Sequence, residues 1–312
     1  MTNESDATNV GIADRLATIE ADVPEPIRTV MRGVGQVIFQ ANALPGPCFI
    51  AGIAANAPLM ALGGLVGAAI GTAVAKQAKF DPGEVADGIY GFNATLVGIA
   101  SFFFFQFGFA SVALMVAGCV VTTLLTWLLR KTAPFPTYTT AFIVTTWILW
   151  LIGPALGARG VAPGEPVAGS ANPYVATAHG IGQVMFQDNV LTALLFVLGI
   201  ALSDWRHAAW VVAASALGVM AANYHVTPEQ RTLDPERVIQ RFLTENIQLG
   251  LYSYNATLAA VALYLWRKSL IPALFGVLLT VPLTEFVPKT GLPALTAPFV
   301  LSWSLFNAMA SG

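Results

Sequence analysis

Long apolar runs, broken by short polar stretches, dominate the chain from Val30 to the C-terminus. One set of runs covers about residues 43–57, 59–75, 88–108, 110–129 and 137–157, and a second set covers about residues 190–203, 207–222, 247–266, 269–286 and 293–310. Runs of this kind are typical of helices that cross a bilayer, each of which needs roughly 20 mostly apolar residues. The pattern therefore predicts an all-α integral membrane protein with ten crossings.

The remaining stretches divide the chain. The segments near 30–42 and 178–189 are too short and too polar to span, so we expect one half-spanning re-entrant helix in each half. Residues 158–178 are rich in Gly, Pro and Ser and are interpreted as a linker. The predicted organisation is an acidic N-terminal tail (1–29) with a short helix at about 13–20, a first half (30–157), the linker, and a second half (179–312).

The two halves repeat one another in sequence. GVGQVIFQAN (33–42) matches GIGQVMFQDN (180–189), FNATL (92–96) matches YNATL (254–258), and FPTYTTAF (135–142) matches LPALTAPF (292–299). Three pairs in the same order indicate an internal duplication. Because five crossings is an odd number, the second half is expected to lie inverted relative to the first.

Composition agrees with a membrane protein and narrows the function. Of 312 residues, 56% are apolar and 10% are charged, which is too little charge for a water-facing surface. With 15 basic and 17 acidic residues and a net charge of −2, the chain is not expected to bind nucleic acid. Ten Lys and Arg residues fall on one side of the predicted topology and five on the other, which predicts cytoplasmic N- and C-termini.

The repeated motifs supply the candidate chemistry. Gln36 and Phe39, like Gln183 and Phe186, are three residues apart and would share a helix face, so each half offers one amide beside one aromatic ring. Such a pair often only packs and hydrogen-bonds within a bundle, but its duplication favours a role along a solute path. Further amides stand at Gln40 and Asn42 and at Gln187 and Asn189.

Two further repeated pairs join these. Thr139 and Thr296 each follow a proline by three residues, and their hydroxyls can both donate and accept hydrogen bonds along a path. The alternative is that each hydroxyl bonds back to its own helix. Asn93 and Asn255 are expected to brace the broken helices rather than contact a solute.

Some chemistry is missing from the sequence. The candidate embedded acids, Asp188, Glu285 and Glu245, have no partner in the repeat, and the chain has no phosphate-binding loop, paired-histidine metal motif or catalytic triad pattern. A path of hydroxyls, amides, backbone carbonyls and two rings suits a small, neutral, planar molecule with several N–H donors. No cofactor is expected.

At these residues the chain resembles the urea transporter family, above all in LPALTAPFVLSW (292–303) and in the duplicated GxGQxxF and NATL segments. The resemblance implies ten membrane helices with two half-spanning ones, a homotrimer with one pore per protomer, and channel-like flow of urea. It also implies roles for individual residues. Phe39 and Phe186 would form a slot, Thr139 and Thr296 would line the constriction, Gln36 and Gln183 would bind urea at the two mouths, and backbone carbonyls near Phe92–Leu96 and Tyr254–Leu258 would complete an oxygen ladder.

The chain departs from the family pattern in places. Some relatives carry an acid where Gln183 stands, and the first-half motif has Phe135 and Ala141 in place of Leu and Pro. The expected function is passive transport of urea across a bacterial inner membrane, with urea and lipid as partners. The alternatives are a proton-coupled carrier that uses Asp188 or Glu285, a membrane-embedded enzyme, and a channel for ammonia, water or short amides.

Overall fold

The computed structural model of the protein describes residues 12–162, 172–225 and 246–311. Within these ranges the chain is helical and has no β-strand beyond an isolated bridge between Phe105 and Gly160, so the all-α prediction is confirmed. The first half contains α1 (Ile12–Asp22), α2 (Glu25–Gly35), α3 (Pro45–Asn56), α4 (Pro58–Gln77), α5 (Pro82–Ala86), α6 (Phe92–Phe104), α7 (Phe109–Thr132) and α8 (Thr140–Ile152). The second half contains α9 (Pro173–Gly182), α10 (Val190–Ser203), α11 (Trp205–His225), α12 (Ser253–Arg267), α13 (Leu270–Phe286) and α14 (Ala297–Ser311).

Proline sets several helix starts. Pro45, Pro58, Pro82 and Pro173 are the first residues of α3, α4, α5 and α9, where the missing N–H costs nothing and the fixed φ suits a helix. The Asn172 side chain accepts hydrogen bonds from the backbone N–H groups of Tyr174 and Val175 and so caps α9.

Helix length separates the elements that can cross a bilayer alone from those that cannot. Among the described residues, α4, α7 and the segment Leu270–Thr290 are long and apolar enough to span. A fourth candidate is the pair Pro173–Met185 and Val190–Ser203, which is bent by 70° at the break between them. The apolar helices α6 and α8 have 13 residues each. The expected five full crossings per half therefore stay a prediction.

Close backbone contact joins α4 to α6. A Cβ at Gly98 would lie 2.0 Å from the carbonyl oxygen of Gly63, and one at Gly67 would lie 2.2 Å from that of Ala94. Small residues allow helices to approach this closely, which is the usual basis of helix association where lipid removes the hydrophobic driving force.

The two halves are joined through α3 and α10. The Thr192 hydroxyl donates to the carbonyl of Gly52 at 2.7 Å, and the Asn42 amide donates to the Ser203 hydroxyl at 2.7 Å. Phe49 and Phe196 are fully buried between the same helices, with ring centroids 4.9 Å apart. The repeated segments thus meet across a packed interface.

The N-terminal helix α1, which contains the helix expected at 13–20, is attached to the first half by Glu20. Its carboxylate accepts hydrogen bonds from Nε of Arg32 at 2.8 Å and from the backbone N–H of Ala43 at 2.9 Å. Arg32 also donates to the carbonyl of Ala86 at 3.2 Å. This part of the acidic tail is therefore packed against α2 and the start of α3.

Candidate functional site

Two threonine hydroxyls from the two halves meet in the interior. Oγ1 of Thr296 donates to Oγ1 of Thr139 at 2.8 Å, and both residues are 3% exposed. Thr139 occupies the N-cap position of α8 without a side-chain capping bond, and Thr296 directly precedes α14. The structure thus brings together the two hydroxyls that the sequence repeat singles out, although they are 157 residues apart.

The bond between them leaves hydrogen-bonding capacity unused. Each hydroxyl supplies one donor and two acceptor lone pairs. One O–H group and several lone pairs therefore remain for a third molecule. Neither Thr139 nor Thr296 bonds back to its own helix carbonyl among the described hydrogen bonds, unlike Thr95, Thr123 and Thr126.

Asn93 and Asn255 hold the segments that carry the threonines. Asn93 accepts from the backbone N–H of Phe142 at 3.3 Å and donates to the carbonyl of Tyr138 at 3.3 Å. Asn255 makes the matching bonds to Phe299 at 3.1 Å and Leu295 at 3.2 Å. Both asparagines are fully buried, and each joins the first turn of its own helix to the segment that carries a threonine.

The GxGQxxFQ motifs form a tight return of the chain in each half. Helices α2 and α9 end in short 3-10 turns, Gln36–Ile38 and Gln183–Met185, and the next residues, Phe39 and Phe186, have φ of 58° and 61°. Gln36 and Phe39, and likewise Gln183 and Phe186, therefore do not lie on one continuous helix. This differs from the shared helix face expected from their spacing.

A glycine and a buried amide explain each return. A Cβ at Gly35 would lie 2.8 Å from the carbonyl of Gln40, and one at Gly182 would lie 2.4 Å from that of Gln187. The Gln40 amide donates to the carbonyl of Ile38 at 2.8 Å, and the Gln187 amide donates to that of Met185 at 2.9 Å. These bonds satisfy carbonyls that the broken helix leaves free.

The two motif rings lie in separate aromatic clusters. Phe39 meets Phe299 edge-on at 6.1 Å between ring centroids, and Phe186 meets Phe142 edge-on at 6.3 Å. Phe299 and Phe142 follow Thr296 and Thr139 by three residues in the chain. Each ring therefore packs beside the segment that carries a central threonine, and no direct contact between Phe39 and Phe186 is described.

A cavity of about 560 Å³ opens on the second-half side. Its wall includes Gln183, Phe186, Leu295 and Thr296, so it extends from one motif amide to one central threonine. Two rings of the phenylalanine-rich run SFFFFQFGF (101–109), Phe103 and Phe104, also line it. The cavity thus reaches Thr296, one of the two residues of the hydroxyl pair.

The remaining predicted amides have structural partners. Nε2 of Gln36 donates to the carbonyl of Asp87 at 3.0 Å. The Asn42 side chain accepts from the N–H of Leu44, and that of Asn189 accepts from the N–H of Thr192. The last two contacts are of the kind that satisfies N–H groups at a helix start.

The predicted oxygen ladder falls on the first turns of α6 and α12. Phe92 begins α6, Tyr254 is the second residue of α12, and Leu96 and Leu258 are each 1% exposed. A helical carbonyl accepts from the amide four residues later. The Tyr254 hydroxyl also donates to the carbonyl of Leu295.

The candidate acids lie in different surroundings. Asp188 is exposed and accepts from the Asn56 amide at 3.3 Å. Glu285 lines the cavity and accepts from the Tyr252 hydroxyl at 2.9 Å. Glu245 lies outside the described residues. Within the described ranges, no three His, Cys, Asp or Glu side chains are grouped to hold a metal ion.

The sequence motifs do not single out two residues beside the site: Lys289, which lies on the cavity wall, and Tyr138, whose ring contacts Phe39. For Tyr138 a signal exists, because it stands opposite Leu295 when the two threonine segments are aligned. Lys289 gives no such signal, since it has no repeated counterpart.

Comparisons with known proteins agree with these motifs. The family model described as urea transporter matches residues 27–234 and 238–311. The chain is similar to urea transporter 1 of Ovis aries, with 26% identity over 89% of this chain and 75% of the relative. It is similarly related to urea transporter 1 of Capra hircus, with 27% identity, and of Rattus norvegicus, with 26% identity, at the same coverage. With a match across nearly its whole length, the chain belongs to the urea transporter family.

Proposed function

We propose that the protein conducts urea passively across a membrane, down its gradient, through a path that passes the Thr139–Thr296 pair. One observation carries the proposal: two repeat-related hydroxyls meet in the interior, and a cavity reaches one of them. Family membership supports a transporter rather than an enzyme.

The chemistry beside the pair suits a neutral planar amide. Urea offers four N–H donors in one plane and a carbonyl acceptor, and the hydroxyl pair offers both acceptors and a donor. The Phe186 ring lines the cavity together with Thr296 and packs edge-on against the buried ring of Phe142. Aromatic walls accommodate a flat solute, while the hydroxyls replace hydrogen bonds lost with water.

Helix orientation disfavours cations at the same place. Helices α8 and α14 both begin at the threonine pair, so their N-termini converge there. Each helix N-terminus carries roughly half a positive charge. Converging positive ends raise the energy of a cation but leave a neutral molecule unaffected, so we expect urea to pass and ammonium to be rejected.

The proposal includes topology and assembly. The two halves would lie inverted about the threonine pair, with both termini in the cytoplasm of a bacterial cell and the chain in the inner membrane. Three copies would assemble, each with its own path. Apolar rings on the outer surface, such as Phe107 at 69% and Phe109 at 93% exposure, are available to lipid or another copy.

Stopped-flow urea flux into liposomes that contain the purified protein tests the proposal. A channel equilibrates urea quickly and never concentrates it, with or without a pH gradient. Accumulation above the external concentration, driven by a pH gradient, would reject the channel mechanism.

A proton-coupled carrier is the second candidate, because Glu285 lies on the cavity wall beside Tyr252. The variant Glu285→Gln separates the two mechanisms. Loss of pH-driven uptake in this variant would support the carrier, whereas a channel keeps its downhill urea flux. Ammonia, water and acetamide fluxes in the same vesicles measure how far the path discriminates among small neutral solutes.

A further inference from the structure

The residues that precede the two threonines share a backbone conformation and differ in side chain. Tyr138 precedes Thr139 with φ of 44°, and Leu295 precedes Thr296 with φ of 46°. Both carbonyls accept a hydrogen bond from a buried asparagine, as described above. Because the backbones match, the contrast between the two halves at this position is one of side chain alone.

On the second-half side this position lines open space. Leu295 is part of the cavity wall, together with Thr296 and Phe186. A branched aliphatic side chain therefore leaves room for a solute beside the threonine.

On the first-half side the position is filled by an aromatic ring. Tyr138 contacts Phe39 edge-on at 5.7 Å, Phe299 at 5.2 Å and Trp303 edge-on at 5.2 Å between ring centroids. The contact between Phe39 and Phe299 has a counterpart of almost equal geometry in the other half, between Phe186 and Phe142. The Phe39–Phe299 pair thus corresponds to the Phe186–Phe142 pair, and Tyr138 adds a further ring beside the first of them.

The surroundings hold this ring in place. Trp303 is 1% exposed and Phe299 is fully buried, and Trp303 aligns with the much smaller Thr146 in the repeat. Aromatic contacts of this geometry each add about 0.5–1.5 kcal/mol beyond the buried area. A ring held by three such contacts does not move aside easily for a wide solute.

We propose that Tyr138 is the size-determining residue of the path, and that its ring restricts the first-half approach to the threonine pair to solutes no wider than urea. The proposal rests on the path proposed above and adds to it a selectivity that differs between the two approaches. N-methylated ureas are the informative probes, because they keep the planar amide and add bulk only at its edge.

The test is a permeability series in liposomes: urea, N-methylurea and N,N′-dimethylurea, each followed by stopped-flow light scattering. In Tyr138→Leu, which installs the residue that the chain itself uses at 295, we expect the permeability ratio of N-methylurea to urea to rise about tenfold, the size of effect that one methyl group has in a fitted pocket. Tyr138→Phe keeps the ring and should keep the wild-type ratio. Tyr224→Leu, the same kind of change at a residue 86% exposed on α11, is the matched control and should also keep it.

The outcomes separate the two proposals. Urea flux in the wild type with an unchanged ratio in Tyr138→Leu overturns the role of Tyr138 and leaves the urea path standing. Absence of urea flux in the wild type overturns both. If Tyr138→Leu does not assemble, Leu295→Tyr provides the reverse test: it should lower the N-methylurea ratio, and an unchanged ratio there overturns the proposal.

Discussion

Replacing the central threonines by valine, singly and together, separates a structural role of the hydroxyls from a role in transport. Valine has nearly the shape of threonine and lacks the hydroxyl, so the packing around these residues, each 3% exposed, is preserved. In Thr296→Val the hydroxyl of Thr139 loses the partner that lies 2.8 Å away. In the double variant neither hydroxyl remains.

Folding stability and urea flux are expected to respond differently to the single and the double substitution. A buried polar group left without a partner costs about 1–3 kcal/mol, whereas replacing both partners by apolar groups of the same shape is nearly neutral. Thr296→Val should therefore be less stable than the wild type, and the double variant should recover most of that loss. Transport should behave differently, because each lost hydrogen bond to the solute raises the barrier by about 1 kcal/mol, or roughly fivefold in rate.

The assay combines stopped-flow urea flux with thermal unfolding in detergent on the same preparations. We expect flux to fall roughly fivefold in the single variant and further in the double variant, while stability falls and then recovers. Thr296→Ser keeps the hydroxyl and is the control, with flux near that of the wild type. Wild-type flux in the double variant would refute the transport role and leave the pair a purely structural contact.

Three other changes have defined outcomes. Phe39→Ala removes a ring that packs on Phe299, so the glycerol-to-urea permeability ratio should rise; an unchanged solute profile would remove this ring from the path. Gly98→Ala places a Cβ 2.0 Å from a carbonyl of α4, so we expect a loss of several kcal/mol and a lower unfolding temperature, with Gly108→Ala, where a Cβ meets nothing within 4 Å, as the control. The hydrogen bond from Arg130 lowers the pKa of Glu84, so its stabilisation is complete above the unfolded value near 4.5 and is lost as the pH falls through the lower folded value. Since both groups are partly exposed, this contribution should be under about 1 kcal/mol. Across that pH range, the unfolding temperature of Glu84→Gln should depend less on pH than that of the wild type.

The internal repeat was the most informative signal in the sequence. It pairs Thr139 with Thr296, and the structure joins their hydroxyls directly. It also pairs Asn93 with Asn255, and the two make matching bonds to Phe142 and Phe299. Repetition is informative because two copies of a motif keep the same local contacts.

The backbone conformation at the end of each GxGQxxF motif does not follow from the sequence. Nothing in the letters requires Phe39 and Phe186 to adopt positive φ, which is unusual for a bulky residue. That conformation depends on contacts that form only in the fold, such as the buried Gln40 and Gln187 amides. The attachment of α1 through Glu20 likewise does not follow from local sequence, because its partner Ala43 is 23 residues away.

The contact between the two threonines has a consequence for biogenesis. Its members are 157 residues apart, so Thr139 is synthesised well before Thr296. The hydroxyl bond can form only after the second half has been made. Neither half produced alone can contain the completed centre. Separate expression of residues 1–157 and 179–312 should give two fragments without urea flux. Any flux recovered on mixing them would show that the halves associate and form the threonine pair.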